Sequence, residues 1–248
     1  ATTIARTLDG LLSQDTGLKV IVVDDQSADD TAAIARRHAL RPTVIAGSAP
    51  PAGWLGKMWA LHQGLGDVQT PYVLLIDADI AFSPGVLTAL LERLESENLA
   101  AASLMAELRQ ETAWEKLLSP AYVFFFRLLY PFSLVRSANR AVAAAAGGCV
   151  LLRRDALIAI GGFGRLRDAI IDDCSLARLL KDAGYGIWLG LTRDVHSLRA
   201  YPRLQDFREL VSRSAFAQLN FSIWRLSACT LAMIGLFIGP VFLATQVP

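Results

Sequence analysis

The sequence predicts an α/β fold in which helices flank a mostly parallel sheet. Three observations lead to this prediction. Largely apolar runs such as Leu18–Val23 and Tyr72–Ile76 alternate with helical patterns, acidic residues directly follow both of these runs, and the last 23 residues, Leu226–Pro248, carry no charge. Buried parallel strands are typically continuous apolar runs, and alternation with helices is typical of a sheet whose ligands bind at the carboxyl ends of its strands.

The first half of the chain predicts helices and strands in strict alternation. Apolar residues at helical spacing indicate the first helix, and Ser27 with Asp30 resembles a helix-capping box. Ser83-Pro84 is a typical cap followed by a first-turn proline. The predicted elements are helix Ile4–Leu12, strand Leu18–Val23, helix Ala28–Ala39, strand Thr43–Ala46, helix Lys57–Leu65, strand Tyr72–Ile76, helix Pro84–Glu95 and strand Leu99–Met105.

The second half begins with an aromatic stretch, Pro120–Val135, which is too short and too interrupted to span a membrane. Its aromatic residues suit either a buried core or an element that rests on lipid headgroups. The same rules of spacing and turn chemistry then predict strand Cys149–Leu152, helix Asp155–Ile160, the Gly161-Gly162 turn, helix Asp172–Ala183, strand Ile187–Leu189 and an amphipathic helix from about Leu204.

The order of elements also predicts how the chain is organised. Because the pattern opens on a helix, we expect a fragment that lacks the first strand of its α/β unit; a native start after removal of Met is the alternative. We expect residues 1–224 to form a catalytic domain and residues 225–248 a transmembrane segment. The uncharged segment is about long enough to cross a bilayer as a helix, although a buried core helix would have the same composition.

Composition excludes several functional classes. Of 248 residues, 53% are hydrophobic and 19% charged, mean hydropathy is +0.39 and net charge is +1. This balance excludes a nucleic-acid binder that works by bulk charge, so no nucleic-acid partner is expected. Three cysteines without a CxxC pair make a disulfide framework or a zinc knuckle improbable and fit a reducing compartment. Arginines precede the uncharged segment and none follows, which places the catalytic domain on the cytoplasmic side of the membrane.

Acidic pairs at strand ends predict a cation site. Asp77 and Asp79 follow a buried strand, and two carboxylates at i and i+2 can turn toward one Mg²⁺ or Mn²⁺ that in turn holds substrate phosphates. Asp24 and Asp25 end an earlier strand. Four carboxylates at one edge of a sheet repel each other unless cations neutralise them or hydrogen-bond donors bind to them. The sequence therefore predicts a divalent-metal site at Asp77 and Asp79, with Asp24 and Asp25 at the same edge of the sheet.

A third pair, Asp172 and Asp173, begins a predicted helix. One of the two fits a helix cap, and a carboxylate at this place fits a general base that takes a proton from a hydroxyl. His196 could bind a metal or a phosphate, or serve as a structural hydrogen-bonding group. Arg213 could neutralise a leaving diphosphate or anchor its helix at a membrane surface.

The ordered segments VIVVDDQSADDT, GWLGKMWALHQGL, LLIDADI, GGCVLLRRDAL and IDDCSLARLLKDAGY resemble family-2 glycosyltransferases of GT-A fold. The segments FFFRLLYPF and IWLGLTRDVHSLRAY are similar, more narrowly, to the hopene-associated glycosyltransferases of hopanoid-producing bacteria. The resemblance covers about Val20 to Phe221.

The resemblance implies a role for each acidic pair. Asp24 and Asp25 would meet the base of a nucleotide-diphosphate sugar, with a UDP-sugar as the expected donor. Asp77 and Asp79 would bind the divalent metal and the diphosphate, and Lys57 would lie near the donor phosphates, unless it is a solvated surface lysine. Asp173 would be the catalytic base, beside Asp172, where the family usually has Glu.

The implied reaction is inverting, metal-dependent transfer of one sugar to a hydroxyl of a membrane lipid at the bacterial inner membrane, in hopanoid biosynthesis. The Gln-x-x-Arg-Trp motif of processive members is reduced to Gln218-Leu219-Asn220-Phe221, which argues against polymer synthesis. Alternatives are a ceramide-type or polyprenyl-type acceptor and a non-catalytic, membrane-anchored sugar-nucleotide-binding scaffold. An aspartate-nucleophile phosphatase fits poorly, because Ala81 stands where its DxDx[TV] motif requires Thr or Val.

Overall fold

The structure is a computed structural model, and it describes residues 2–14, 17–138, 140–219 and 221–240. The chain divides into two compact units, residues 1–202 and residues 203–248, each of which is described by itself.

The first unit alternates helices and strands, largely as predicted. Its helices are α1 (Thr2–Leu12), α2 (Thr31–Arg37), α3 (Gly56–Gly66), α4 (Val86–Ser96), α5 (Ala113–Leu129), α6 (Phe132–Arg136), α7 (Arg154–Ala159) and α8 (Asp172–Asp182), with a 3-10 turn at Gly162–Leu166. Its strands are β1 (Ile21–Asp24), β2 (Thr43–Ala46), β3 (Tyr72–Ile76), β4 (Ile80–Phe82), β5 (Ala101–Glu107), β6 (Cys149–Arg153) and β7 (Ile187–Ser197).

The strands form two sheets, and the larger one is mixed. β1 and β2 pair in parallel, while the five-stranded sheet has the order β3-β6-β5-β7-β4, in which only β5 and β7 are parallel. The prediction of a mostly parallel sheet is therefore wrong. The physical reason is visible on β6, where Val150 and Leu152 pack into one hydrophobic cluster and Cys149 and Leu151 into another on the opposite face. Burial on both faces makes a strand continuously apolar, whatever its direction.

One strand escaped prediction because it is very short. β4 spans only Ile80–Phe82, follows β3 after three residues and pairs with the extended end of β7, with Ile80 opposite Ser197. β3 and β4 stand at opposite ends of the strand order and do not pair with each other, and the N–H of Ile80 donates to the carbonyl of Asp77 across the link. The Asp77–Asp79 segment is consequently a tight connection between two strands of the same sheet.

The start of α2 also differs from its prediction. The helix begins at Thr31, and Asp30, its N-cap residue, makes no side-chain capping hydrogen bond. Asp29 instead accepts hydrogen bonds from the backbone N–H and the hydroxyl of Thr31. The capping box predicted from Ser27 and Asp30 is therefore wrong, because a neighbouring carboxylate makes the local bond.

The second unit contains α9 (Leu204–Gln218), α10 (Ile223–Met233) and a π-helical turn at Ile234–Ile238. Among the described residues no single helix is long and apolar enough to cross a membrane, but Leu204–Gln218 and Ile223–Ile238 together have the length and composition and are bent by 117°. The single transmembrane helix predicted over Leu226–Pro248 is thus not shown, and its residues 241–248 lie outside the described part of the chain.

A buried carboxylate ties α5 to the chain that follows β7. Glu115 is fully buried, forms a capping box with Thr112, and accepts hydrogen bonds from the backbone N–H groups of Glu111, Thr112 and Tyr201. Burial raises the pKa of Glu115, but these backbone hydrogen bonds outweigh it and hold the pKa below its ordinary value. The charged form is therefore the one that the fold stabilises.

We predict that Glu115→Ala lowers the free energy of unfolding by about 3–5 kcal/mol, because it leaves buried N–H groups without an acceptor. Urea denaturation at neutral pH measures the loss, with the exposed Glu92→Ala as the matched control. Since a lowered native pKa gives stability that is lost as the pH falls through it, the difference between wild type and variant should shrink in acid. A Glu115→Ala protein within about 1 kcal/mol of wild type would contradict the assignment.

Candidate active site

The acidic residues singled out in the sequence lie at the ends of different elements. Asp24 ends β1, Asp77 follows β3, and Asp172 begins α8. A cleft brings several of them together. It is lined by Lys57, Met58, Leu61, Leu75, Ile76, Asp77, Gly147, Val150, Phe163, Leu166, Asp172, Asp173 and Leu176. The cleft thus has an apolar floor and a charged rim.

Lys57 is the centre of this charged rim. Its Nζ lies 3.0 Å from Oδ1 of Asp77 and 3.0 Å from Oδ2 of Asp172. Burial lowers the pKa of Lys57, but the two carboxylates outweigh that effect and raise the pKa above its ordinary value. Lys57 is therefore a charged bridge between β3 and α8, with a side chain that remains 44% exposed.

Asp173, the neighbour of Asp172, is half-buried and also lines the cleft. Its Oδ2 accepts a hydrogen bond of 2.8 Å from the backbone N–H of Gly147, and its Oδ1 accepts one of 2.7 Å from that of Cys174. Burial, followed by the charge of Asp172, raises the pKa of Asp173 to about 6, although both N–H groups oppose the shift. A carboxylate that titrates near neutrality has the proton affinity that a general base needs.

Gly147 approaches the carboxylate closely. A methyl group at Gly147 would lie 3.2 Å from Oδ2 of Asp173, which is tighter than ordinary side-chain contacts. The sequence indicated a tight turn at Gly147-Gly148, and the structure shows that the turn also supplies an N–H donor that orients Asp173.

The Asp77–Asp79 connection is held by its own backbone. The Thr7 hydroxyl donates to the carbonyl of Ala78 over 3.0 Å, and the N–H of Leu198 donates to the carbonyl of Asp79 over 2.7 Å. Burial, followed by the charge of Asp77, raises the pKa of Asp79. The two carboxylates therefore repel each other, and a cation between them would relieve this repulsion.

A divalent metal, which the resemblance implies, fits these residues. Carboxylate oxygens suit Mg²⁺ and Mn²⁺, and Asp77 and Asp79 supply one carboxylate each. In the described ranges no group of three or more His, Cys, Asp or Glu residues is placed to hold a metal ion. Two protein carboxylates are nevertheless enough for a metal that completes its shell with substrate phosphates and water, which is the usual arrangement for Mg²⁺.

The side chains of Asp24 and Asp25 have different contacts. Oδ1 of Asp24 accepts a weak hydrogen bond of 3.3 Å from the N–H of Ser27, in its own turn. The carboxylate of Asp25 lies against Gly56, where an added methyl group would come within 2.9 Å of its Oδ2. The expectation that four acids share one edge of one sheet is wrong, because β1 and β3 belong to different sheets; the start of α3 connects them instead.

Of the groups near Asp79, the sequence indicated His196 as a possible metal or phosphate ligand but did not indicate Arg199 or Glu107. Arg199 lies close enough for its charge to oppose the rise in the pKa of Asp79. His196, opposite Ala81 in the β4–β7 ladder, has its Nδ1 3.4 Å from Oε2 of Glu107. His196 is thus paired with a carboxylate, and only the long-range pairing of β4, β5 and β7 brings these residues to Asp79.

A model of a known protein family matches most of this chain. The model, described as glycosyl transferase family 2, matches residues 1–161. The chain belongs to this family. The matched part includes Asp24, Asp25, Lys57, Asp77 and Asp79, whereas Asp172 and Asp173 lie beyond it.

Curated relatives share a shorter stretch with this glycosyltransferase. It is 32% identical over 79 residues to the 4,4'-diaponeurosporenoate glycosyltransferase of Staphylococcus aureus (strain MRSA252), covering 32% of this chain and 21% of that protein. It is 37% identical over 79 residues to an uncharacterized glycosyltransferase of Mycobacterium tuberculosis (strain ATCC 25618 / H37Rv), covering 32% of this chain and 33% of that protein. The matched stretch thus spans a third or less of these relatives.

Solved structures support the GT-A-like fold. The mannosyltransferase PcManGT from Pyrobaculum calidifontis, in complex with GDP-Man and Mn²⁺, superimposes with a TM-score of 0.63 at 20% identity, covering 99% of this chain and 75% of that one. S. aureus TarS 1-349, in complex with UDP, gives a TM-score of 0.53 at 17% identity, covering 100% and 72%. At these identities the likeness shows the fold alone.

Proposed function

We propose that this glycosyltransferase moves a single sugar from a nucleotide-diphosphate donor to a hydroxyl group of a membrane lipid, with inversion at the anomeric carbon. The observation that carries the proposal is the Lys57 bridge: one ammonium joins Asp77, at the end of β3, to Asp172, beside the half-buried Asp173. The bridge supports the proposal because Lys57 and Asp77, which would bind the diphosphate, line the same cleft as Asp173, which would accept the proton.

We assign Asp25, Lys57, Asp77 and Asp79 to the donor side, and of these Lys57 and Asp77 line the cleft. Asp25 and Asp24 lie where β1 ends and would meet the nucleotide base, with a UDP-sugar as the proposed donor. Asp77 and Asp79 would hold Mg²⁺ or Mn²⁺, which when bound neutralises charge on the diphosphate. Lys57 would stabilise the same charge with its ammonium, since its two carboxylate partners keep it protonated.

The acceptor side is built around Asp173. Its carboxylate would take the proton of the acceptor hydroxyl as the oxygen forms a bond to the anomeric carbon. The bond from that carbon to the diphosphate breaks at the same time, and the diphosphate leaves with the electron pair. A single displacement of this kind inverts the anomeric centre. The N–H groups of Gly147 and Cys174 fix both carboxylate oxygens and so orient the base.

The lipid acceptor is supported by the apolar composition of the second unit and by the exposed aromatic residues of α5. We further propose that the enzyme works at the bacterial inner membrane, with residues 1–224 as its catalytic domain facing the cytoplasm, and that its acceptor belongs to hopanoid biosynthesis. The narrower sequence resemblance motivates this last point. Comparison of lipids from cells with and without the gene, by mass spectrometry, identifies the acceptor.

We predict that Asp173→Asn lowers kcat by about 10²–10⁴-fold, the usual contribution of general-base catalysis, while donor binding is retained. The measurement is release of nucleoside diphosphate from a panel of labelled UDP- and GDP-sugars with membrane lipid extract as acceptor. Asp182→Asn, an exposed acid at the end of the same helix, is the matched control and should leave kcat unchanged. An Asp173→Asn enzyme within about tenfold of wild type would rule out Asp173 as the base.

We also predict an acidic limb in the pH–rate profile. A base acts only when it is deprotonated, and the pKa of Asp173 is raised to about 6, so kcat should fall as the pH drops below about 6. A rate that stays constant down to about pH 4.5, near the ordinary range of a carboxylate, would show that this raised pKa does not govern turnover.

A further inference from the structure

Helix α5 carries a second apolar face that the core does not use. Its inner face packs Phe126 on the main hydrophobic cluster and buries Glu115 and Ser119. On the other side, Trp114 is 41% exposed, Leu117 64%, and Phe124 and Leu128 are each 51% exposed.

The four exposed side chains form one stripe. At about 100° per residue they fall within an arc of about 80° around the helix, and that arc points almost directly away from the buried face. A contiguous exposed apolar stripe of this kind is typical of a surface that contacts a membrane or a partner. We call residues Trp114, Leu117, Phe124 and Leu128 the α5 stripe.

The charges beside the stripe indicate what kind of surface it contacts. Lys116 and Arg127 are exposed along one edge of it, and among the described residues neither has a carboxylate partner within salt-bridge distance. Residues 112–154 contain a single acid, Glu115, which is buried. Apolar side chains including Trp and Phe, flanked by cations and free of exposed acids, match the surface of an anionic bilayer.

The far end of α5 lies close to the proposed base. Tyr130, which follows the helix, is hydrogen-bonded to Cys174, the residue after Asp173. The end of α5 that carries Leu128 therefore lies next to the start of α8, where a lipid hydroxyl has to arrive.

We propose that the α5 stripe is a membrane-docking surface that inserts into the interface of an anionic lipid bilayer and presents lipid headgroups to the Asp173 side of the cleft. The second clause rests on the proposed function, whereas the docking itself does not. Lys116 and Arg127 would contact the lipid phosphates, while the four apolar side chains would enter the boundary between headgroups and acyl chains.

The test is a site-specific fluorescent probe on the full chain. In a Cys229→Ser background, which leaves only the buried Cys149 and Cys174, Leu128→Cys carries an environment-sensitive label. Ile158→Cys, 49% exposed on α7, is the matched control. Vesicles of phosphatidylcholine with phosphatidylglycerol should shift the Leu128→Cys emission to the blue, and brominated acyl chains should quench it, with no change at Ile158→Cys. Because both probes share the second unit, its own binding to vesicles cannot produce this difference.

Charge gives the second readout. Lys116→Gln and Arg127→Gln should each lower the affinity of the Leu128→Cys signal for anionic vesicles by about fivefold. Equal quenching at both probe positions, or a response that ignores lipid charge, would overturn the proposal. A blue shift that grows with protein concentration and without vesicles would overturn it in favour of contact between copies of the chain. Since no sugar donor is present, these outcomes are independent of the Asp173→Asn assay, and either proposal can fail alone.

Discussion

The charge of Lys57 organises the site of this protein. Asp77 and Asp172 belong to segments almost a hundred residues apart, and each places a carboxylate 3.0 Å from the same ammonium. Without this cation the rim of the cleft would hold several like charges with no partner, a costly arrangement in a partly buried site. The position of Lys57 at the first turn of α3 follows from Gly56, which lets α3 approach Asp25 closely. The first turn of α3 thus connects the ends of β1 and β3 with the start of α8.

Burial on both faces explains the fold and also the limits of its prediction. Most predicted elements agree with the structure within a few residues, and Thr43–Ala46 and Tyr72–Ile76 agree at both ends. Strand direction was predicted wrongly, because a strand covered on both sides is continuously apolar in either direction. The three-residue β4 carries too few residues for a periodic pattern, and it exists only because β7 extends to pair with it.

The sequence predicted the acidic residues of the site but not the contacts between them. Carboxylates that directly follow apolar strands stand out in a sequence, so Asp77 and Asp79 could be named, but the pairing of Lys57 with Asp172 depends on a contact between distant segments. The approach of Gly147 to Asp173 and of Arg199 to Asp79 leaves no local signal either. The resemblance to a family supplied roles for these residues, and the structure supplies the distances that make the roles chemically reasonable.

Isothermal titration calorimetry with UDP and GDP, in the presence and absence of MnCl₂, tests most directly whether the Lys57 cluster is a diphosphate site. The account predicts that wild type binds one of the two nucleotides, that Lys57→Met weakens its binding by about tenfold or more, the scale of one lost charge-assisted contact, and that Asp173→Asn binds it as wild type does. Unchanged binding by Lys57→Met, or equal losses in both variants, would contradict the division of the cleft into a donor side and a base.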